Sequence, residues 1–594
     1  MIRQNLLALL LFISNVAYVH GEERRWNCEQ VDADELVQHG IIRSGEGVEG
    51  KSLVFDGVSL LKMKESEGLA NHAAGFAWSV WVNPYVLNGE QQMLIAKNCY
   101  AKNQRQWGVM IDKDNRFRLY VWQGKWVTAE SITAPQVGRW HLISIVVEAD
   151  KVELWVNGKR EGTVALTTPI PQTEAAVTFG GVDDNGKIWQ NFVGALDEIQ
   201  LFDRPLSTEE LRSQFQVVDA KHVIPEFAKE LVGLPLWDAS VQLPNTADAE
   251  VLQDVEFHVI KKWEPNVDGY DWLHGVALAW HKGALYASFG HNEGAENTLT
   301  EIGRYCVSHD GGRTWSEVRS IDIGSDSDDL AVSHGVFLSH KGTLWAFLGA
   351  FHNTRQRVHT RAYTLDEATG DWQPRGAVVE DGFWPMQEPI KLKNGNWLMA
   401  GLCVSEHNTA AVAISNGDDL TDWKFAQIPK SSAVGQMWGE STVLVDGSHI
   451  TNIARYGQKA IALVAESNDF GATWTKSVTS NLPMVTSKPY SGTLSTGQRY
   501  LVCTTTADSG GRRSPLTIAV SRPGENLFSK VFVIRHAVFP EGPGESHPQA
   551  KLSYPYAVER DGKLYVGYSN SGERGANRNS AELAIIPVSR LMQD

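Results

Sequence analysis

An all-β chain is predicted by three observations. The 594 residues hold 53 Gly and 21 Trp but few stretches with a helical period, a composition suited to strands joined by many turns. Short runs alternate apolar and polar positions between turn residues, as in Phe76-Ala77-Trp78-Ser79-Val80-Trp81-Val82. Most specific is an eight-residue stretch, Ser308-His309-Asp310-Gly311-Gly312-Arg313-Thr314-Trp315, which returns 159 residues later (467 minus 308) as Ser467-Asn468-Asp469-Phe470-Gly471-Ala472-Thr473-Trp474. Asp and Gly suit a tight turn whose carboxylate accepts backbone N–H groups, and Trp opens the next strand with a large apolar anchor. A repeated turn of this kind between antiparallel strands points to a β-propeller.

The bulk numbers narrow the function classes. With 42% hydrophobic and 21% charged residues, the chain is an ordinary soluble protein with room for two or three domains. A formal charge of −16 repels polyanions, so a phosphate-tracking nucleic-acid partner is not expected, and no membrane span is expected either. At the N-terminus Arg3, the apolar run Leu6 to Ile13 and the small-residue pattern Val19-His20-Gly21 read as a secretory signal peptide over residues 1–21. Secretion or a periplasmic location follows as an expectation. Cys28, Cys99, Cys306, Cys403 and Cys503 are odd in number and far apart, so neither a disulfide framework nor a CxxC metal site is expected. At most Cys28 and Cys99 could pair.

Residues 22–217 form the first domain. Its strand-like runs include Arg116-Phe117-Arg118-Leu119-Tyr120-Val121-Trp122, and Asn157-Gly158 is a two-residue hairpin turn. Gly138-Arg139-Trp140-His141, Val152 to Lys159 and the closing stretch Gly194-Ala195-Leu196-Asp197-Glu198-Ile199 together resemble a laminin-G or concanavalin-A-like β-sandwich. That resemblance implies glycan binding or an inert packing module, and leaves calcium open, with Asp197 as a ligand or as a structural acid. No other cofactor is expected. Ser207-Thr208-Glu209-Glu210-Leu211 starts a helix with a cap and early acids, fading near Val217. Residues 218–250 read as a connector.

From residue 251 to 594 one cassette repeats: a polar entry, an apolar strand, a Gly turn and a second apolar strand. The copies open at His274-Gly275-Val276, His334-Gly335-Val336, Glu388-Pro389-Ile390, Glu440-Ser441-Thr442, Pro489-Tyr490-Ser491 and Tyr554-Pro555-Tyr556. Six copies of about 57 residues suit six four-stranded blades. A degenerate turn, Ser415-Asn416-Gly417-Asp418 leading to Trp423, fills one of the gaps between full turns. The first strand of each blade lines the central channel of a propeller. His274, His334, Glu388, Glu440 and Tyr554 should therefore converge on one pocket.

The paired S-x-D-x-G-x-T-W stretches resemble the Asp-box, or BNR repeat, of the sialidase superfamily, and the resemblance covers roughly residues 270 to 594. Gly439-Glu440-Ser441-Thr442 followed by Asn452-Ile453-Ala454-Arg455 resembles the family stretch that carries the glutamate base and one arginine of a carboxylate-binding triad. Gly511-Arg512-Arg513-Ser514-Pro515 resembles the stretch carrying another, with Arg513 fitting the spacing best. Ser553-Tyr554-Pro555-Tyr556 falls where the family keeps a tyrosine nucleophile. Two elements depart from the pattern. Where the family has an Arg-Ile-Pro motif this chain reads Trp272-Leu273-His274-Gly275-Val276, so the first arginine is absent. The family's acid is an Asp, and the equivalent spacing gives Glu296, with Glu293 and Glu301 open as alternatives. Histidines 274, 291 and 334 could replace the arginine by charge or by hydrogen bonding, or could simply line the channel.

The resemblance and these residues together imply a retaining exo-glycosidase acting on a terminal acidic sugar, sialic acid or a related uronic or ulosonic residue. Its nucleophile would be Tyr554, its base Glu440 and its acid Glu296. Arg455, Arg513, His274, His334 and Glu388 would bind substrate. A neutral phenol suits this chemistry, because a carboxylate beside the anomeric carbon repels an anionic nucleophile. Alternatives are a polysaccharide lyase using His274 or His334 with Tyr554 and Arg455, and a carbohydrate-binding protein without turnover.

Overall fold

The computed structural model describes residues 23–66, 75–87, 89–215, 224–225, 227–228, 233–324 and 326–592. The expected signal peptide lies outside them. The chain forms two compact units that divide after residue 232.

The first unit is a sandwich of an eight-stranded and a seven-stranded sheet. Both sheets are antiparallel throughout, and their inner faces share one apolar core in which Trp78 meets Trp107 and Phe179 at ring separations of 6.3 and 5.9 Å. Asn157 and Gly158 both adopt left-handed φ, 52° and 69°, as a two-residue hairpin turn requires. The helix Thr208–Gln214 starts on a reciprocal capping box between Ser207 and Glu210 and stops at Gln214, short of Val217. All five cysteines are free and buried, so Cys28 and Cys99 do not pair. Asp197 is buried, and its carboxylate accepts the backbone N–H groups of Val48 (2.7 Å), Glu49 (3.3 Å) and Glu198 (2.9 Å). These amide bonds account for its place in the closing strand Val193–Phe202.

The second unit holds six sheets, one per expected cassette. Blade one runs Trp272–His281, Ala284–Asn292, Glu301–Ser308 and Arg319–Asp322. Blades two and four have the same simple up-and-down order. In blade three the inner strand is split into Phe383–Pro385 and Ile390–Lys391, both paired with Trp397–Cys403. Blade six is completed from the other end of the unit: Glu256–Lys261 pairs antiparallel with Ser580–Pro587. That strand closes the ring and removes an open sheet edge.

Both full Asp-boxes form the same turn between the third and fourth strands of blades one and four. Asp310 Oδ1 accepts from the backbone of Arg313 (3.0 Å) and Thr314 (2.9 Å), and Oδ2 accepts the Thr314 hydroxyl (2.6 Å). Asp469 repeats this with Thr473 at 2.9 and 2.6 Å. Trp315 and Trp474 return their indole N–H to the carbonyls of Gly312 and Gly471. In the degenerate turn Trp423 keeps that bond to Leu420, but Asp418 turns away to Lys341, Lys391 and Trp397.

Candidate active site

Four inner strands break register where they reach one mouth of the channel. The shifts fall between His274 and Ala277, Val332 and Gly335, Met437 and Ser441, and Ser553 and Tyr556. A β-bulge re-aims the side chain it carries. These four carry His274, His334, Glu440 and Tyr554, all of which line one cavity of about 830 Å³. Two glycines are required by the geometry. A Cβ on Gly275 would sit 2.3 Å from the His334 ring, and one on Gly439 (φ 41°) would sit 2.3 Å from the Asn408 carbonyl. Tyr554 itself takes a left-handed φ of 53°, strained for an aromatic residue. The flanking backbone holds it there: Tyr554 N donates to Ser487 Oγ, and the buried Lys488 Nζ donates to the Pro555 carbonyl at 2.8 Å.

On the cavity floor the Tyr554 hydroxyl donates a short hydrogen bond to Glu440 Oε1. Arg455 Nη1 donates to the same carboxylate oxygen at 2.7 Å and to Tyr554 Oη at 3.2 Å. All three polar groups therefore meet at one point. Glu440 Oε2, Arg455 Nε and His334 Nε2 are buried without a hydrogen-bond partner among the described residues. Burial, reinforced by the Glu440 charge, raises the Tyr554 pKa above its ordinary value, so the phenol needs its adjacent base to give up the proton. For Arg455 burial works against the charge, but Glu440 and Tyr554 outweigh it and the pKa rises.

His274 packs against Tyr554 with ring centroids 3.7 Å apart, and its Nδ1 meets the Asn579 amide at 3.2 Å. Burial and the neighbouring His334 hold His274 well below 6.5, and burial with Lys488 and Arg355 takes His334 to about 3. Both imidazoles are neutral, so neither stands in for an arginine by charge. The remaining expectation for them, hydrogen bonding or lining, is the one their surroundings permit.

The turns joining second to third strands add a second ring of residues at the same mouth. Blade one supplies Glu296, blade two Arg355, blade five Arg512 and Arg513, and blade six Asn577. Glu296 is exposed overall, but its carboxyl faces into the mouth and accepts from Asn577 at 3.0 Å. Burial of that carboxyl raises its pKa, with Asn577 and Arg355 opposing. Arg513 donates to the Thr486 carbonyl at 2.9 Å, with its guanidinium 5.9 Å from the Tyr554 ring. Of the other acids considered, Glu293 is exposed and does not line the cavity, while Glu301 is buried behind it and pushed up to about 7 by burial. His291 stacks on Tyr270 at 4.2 Å away from the lining.

Glu388 also stands outside the lining. It sits in the gap between the two halves of the split inner strand and accepts hydroxyl bonds from Tyr490 (2.8 and 2.7 Å) and Tyr556 (2.7 Å). Burial raises its pKa and lowers that of nearby Lys488 to about 7. Residues not anticipated from sequence include Arg355, Trp438, Lys551 and Asn577. Their signal was positional: each lies in a second-to-third-strand turn or at the entry to an inner strand, the places already marked by Glu296 and Glu440. The lining carries Arg355, Arg455, Arg512, Arg513 and Lys551 against Glu296 and Glu440, a cationic mouth on a chain of net charge −16.

Family models match the two units separately. Residues 60–212 match the concanavalin A-like lectin/glucanases superfamily, and residues 283–566 match the BNR repeat-like domain. No curated protein matches the chain in sequence. Solved structures similar to it include the NanB sialidase from Streptococcus pneumoniae, 11% identical over 87% of this chain and 95% of that one, with a TM-score of 0.40. The leech intramolecular trans-sialidase is 12% identical over 94% and 99%, TM-score 0.41, and a Hadza microbial sialidase 11% over 91% and 96%, TM-score 0.44. At this divergence the likeness carries nothing about the reaction. The concanavalin A-like match thus falls on the two-sheet sandwich, and the BNR repeat-like match falls on the six-bladed β-propeller.

Proposed function

We propose that the protein is a secreted, retaining exo-glycosidase that hydrolyses a terminal acidic sugar, sialic acid or a related uronic or ulosonic residue, from glycans. The observation that carries this reading is the Tyr554, Glu440 and Arg455 hydrogen-bonded triangle on the floor of a cationic cavity. Cationic side chains at the mouth attract an anionic sugar, but the sugar's own carboxylate repels a carboxylate attacking the adjacent carbon. A phenol avoids that repulsion and becomes a nucleophile only as Glu440 takes its proton.

In the first step the Tyr554 oxygen bonds to the anomeric carbon, its proton passes to Glu440, and the glycosidic oxygen leaves with a proton from Glu296. In the second step water gives a proton back to Glu296 and displaces the tyrosyl oxygen, which recovers its proton from Glu440. Two displacements at one carbon retain its configuration. The raised pKa of Glu296 suits a group that must hold a proton near neutral pH.

Release of fluorophore from an aryl sialoside by the mature chain tests this, with Tyr554→Phe beside it. The expected result is turnover that falls by roughly 10³-fold or more in the variant. A fully active Tyr554→Phe would remove the tyrosine from the mechanism. Absence of wild-type turnover would move the substrate to another acidic sugar. A lyase reading draws on the neutral His274 ring against Tyr554, and an unsaturated, ultraviolet-absorbing product from a uronate polysaccharide would select it.

A further inference from the structure

We propose that Arg355 binds the anionic group of the substrate, and that Asp329 positions it to do so. The inference rests on the acidic-sugar reading above and names the residue that would enforce it. Arg355 lies on the tight turn between Thr343–His352 and Gln356–Asp366. Asn353, Arg355 and Arg357 all take left-handed φ there, at 51°, 57° and 45°. Backbone strain of this density persists only where other contacts over-determine it. Here the contacts converge on Asp329. Its carboxylate accepts from His352 Nδ1 (2.9 Å), Asn353 Nδ2 (3.4 Å) and Arg357 Nη2 (2.9 Å), and its carbonyl accepts from Asn353 N (2.8 Å).

That clasp fixes where the arginines of this segment go. Arg357 is spent on Asp329 itself, and Arg361 pairs with Asp326 and Asp322. Arg355 alone of the three has no hydrogen bond or ion pair among the described residues, and its Nε is buried. It enters the cavity half-buried, with its guanidinium 6.0 Å from the ring of Trp438, a residue 38% exposed. Arg455, which holds Glu440, approaches the same indole at 5.5 Å. An indole supports a guanidinium through its face, which leaves the N–H donors at the edge free. A planar carboxylate is the ligand that such an edge pairs with in bidentate fashion. The free donors, the buried Nε and the shared indole thus place a carboxylate-binding edge beside the reacting residues.

The test uses the full mature chain with Arg355→Met, Arg355→Lys and Asp329→Asn. Calorimetric titration with free N-acetylneuraminate, with glucuronate and with the methyl ester of N-acetylneuraminate reads binding without turnover. Arg355→Met is expected to weaken the acid that binds by roughly 10- to 100-fold. The ester should bind the wild type and Arg355→Met equally. Arg355→Lys should recover part of the loss, and Asp329→Asn, which touches no substrate, should weaken the acid in the same direction by less. In steady-state assays the loss should appear in KM more than in kcat. Equal binding of the acid by wild type and Arg355→Met, or equal weakening of acid and ester, overturns the proposal and leaves the acidic-sugar reading standing. A wild-type chain that binds neither acid overturns both.

Discussion

The Asp-box turns and the channel-mouth bulges are both small sets of polar side chains held on distorted backbone, and they differ in what is left over. In each Asp-box the carboxylate, the serine and threonine hydroxyls and the indole N–H bond to one another or to their own turn, and the set is copied from blade one to blade four. At the mouth the four bulges carry two histidines, a glutamate and a tyrosine. Among the described residues Glu440, Arg455, His334 and Arg355 each keep a buried polar atom without a hydrogen-bond partner. Complete satisfaction repeated around a ring is what a scaffold needs. Unequal residues converging with spare donors and acceptors are what a substrate needs, because a buried polar atom left unpaired is costly unless a ligand completes it.

Gly439→Ala tests the boundary between the two with the largest expected effect of the substitutions outside the proposed nucleophile. The new Cβ would meet the Asn408 carbonyl at 2.3 Å and the Thr409 backbone at 2.5 Å, neither of which is a side chain that can swing away. Backbone must shift, and the residue carried with it is Glu440. Melting should report a loss of about 1–3 kcal/mol, and turnover should fall further than that destabilisation explains. Unchanged turnover with lowered stability would mean that the bulge serves the scaffold alone.

Much of this arrangement was legible in the sequence because a propeller converts a repeat into a ring. The cassette starts mark His274, His334, Glu440 and Tyr554 in the sequence, since the same offset in each blade reaches the same depth of channel. Glu388 carried the same offset and went elsewhere. Blade three splits its inner strand around that residue, and a break in pairing, unlike a Gly or a Pro, leaves no single-residue mark. Arg355 was hidden for a different reason: a turn residue has no periodicity, and only the position of Glu296 in the equivalent turn of blade one points to it. The strand Glu256–Lys261 that closes the ring was hidden because its partner lies some three hundred residues away in sequence.

Acid should separate the two regions by pH. His334 titrates at about 3 in the folded chain and at its ordinary 6.5 when unfolded, and His274 is lowered in the same direction. Between those values the unfolded chain binds more protons, so this stability is fully present above pH 6.5 and is lost as pH falls toward 3. Glu301 opposes it: raised to about 7 from 4.5, it favours the folded chain as pH falls through that window. Comparing His334→Phe with wild type cancels the Glu301 contribution, and the variant should lose stability less steeply below pH 6.5 in denaturant titrations. Identical slopes would mean that His334 is not buried as a neutral ring. The Asp-box carboxylates act lower. Hydrogen bonds from Thr314 hold Asp310 below its ordinary 3.8, so its contribution is present above that value and fades only beneath it.

The smallest expected effect belongs to the most conspicuous sequence motif. Asp310→Asn keeps one oxygen for the backbone of Arg313 and Thr314 but replaces the oxygen that accepts the Thr314 hydroxyl with a donor. The turn is at the surface, where water competes for every one of these groups, so the melting temperature should fall only slightly. Asp469→Asn in blade four should do the same, and because the two turns share no partner the double variant should show the sum of the two shifts. Turnover per folded molecule should match wild type in all three, since no Asp-box residue lines the cavity. A fall in kcat/KM without loss of folded chain would mean that the turns transmit to the mouth, and the separation of scaffold from site drawn from their hydrogen bonding would not hold.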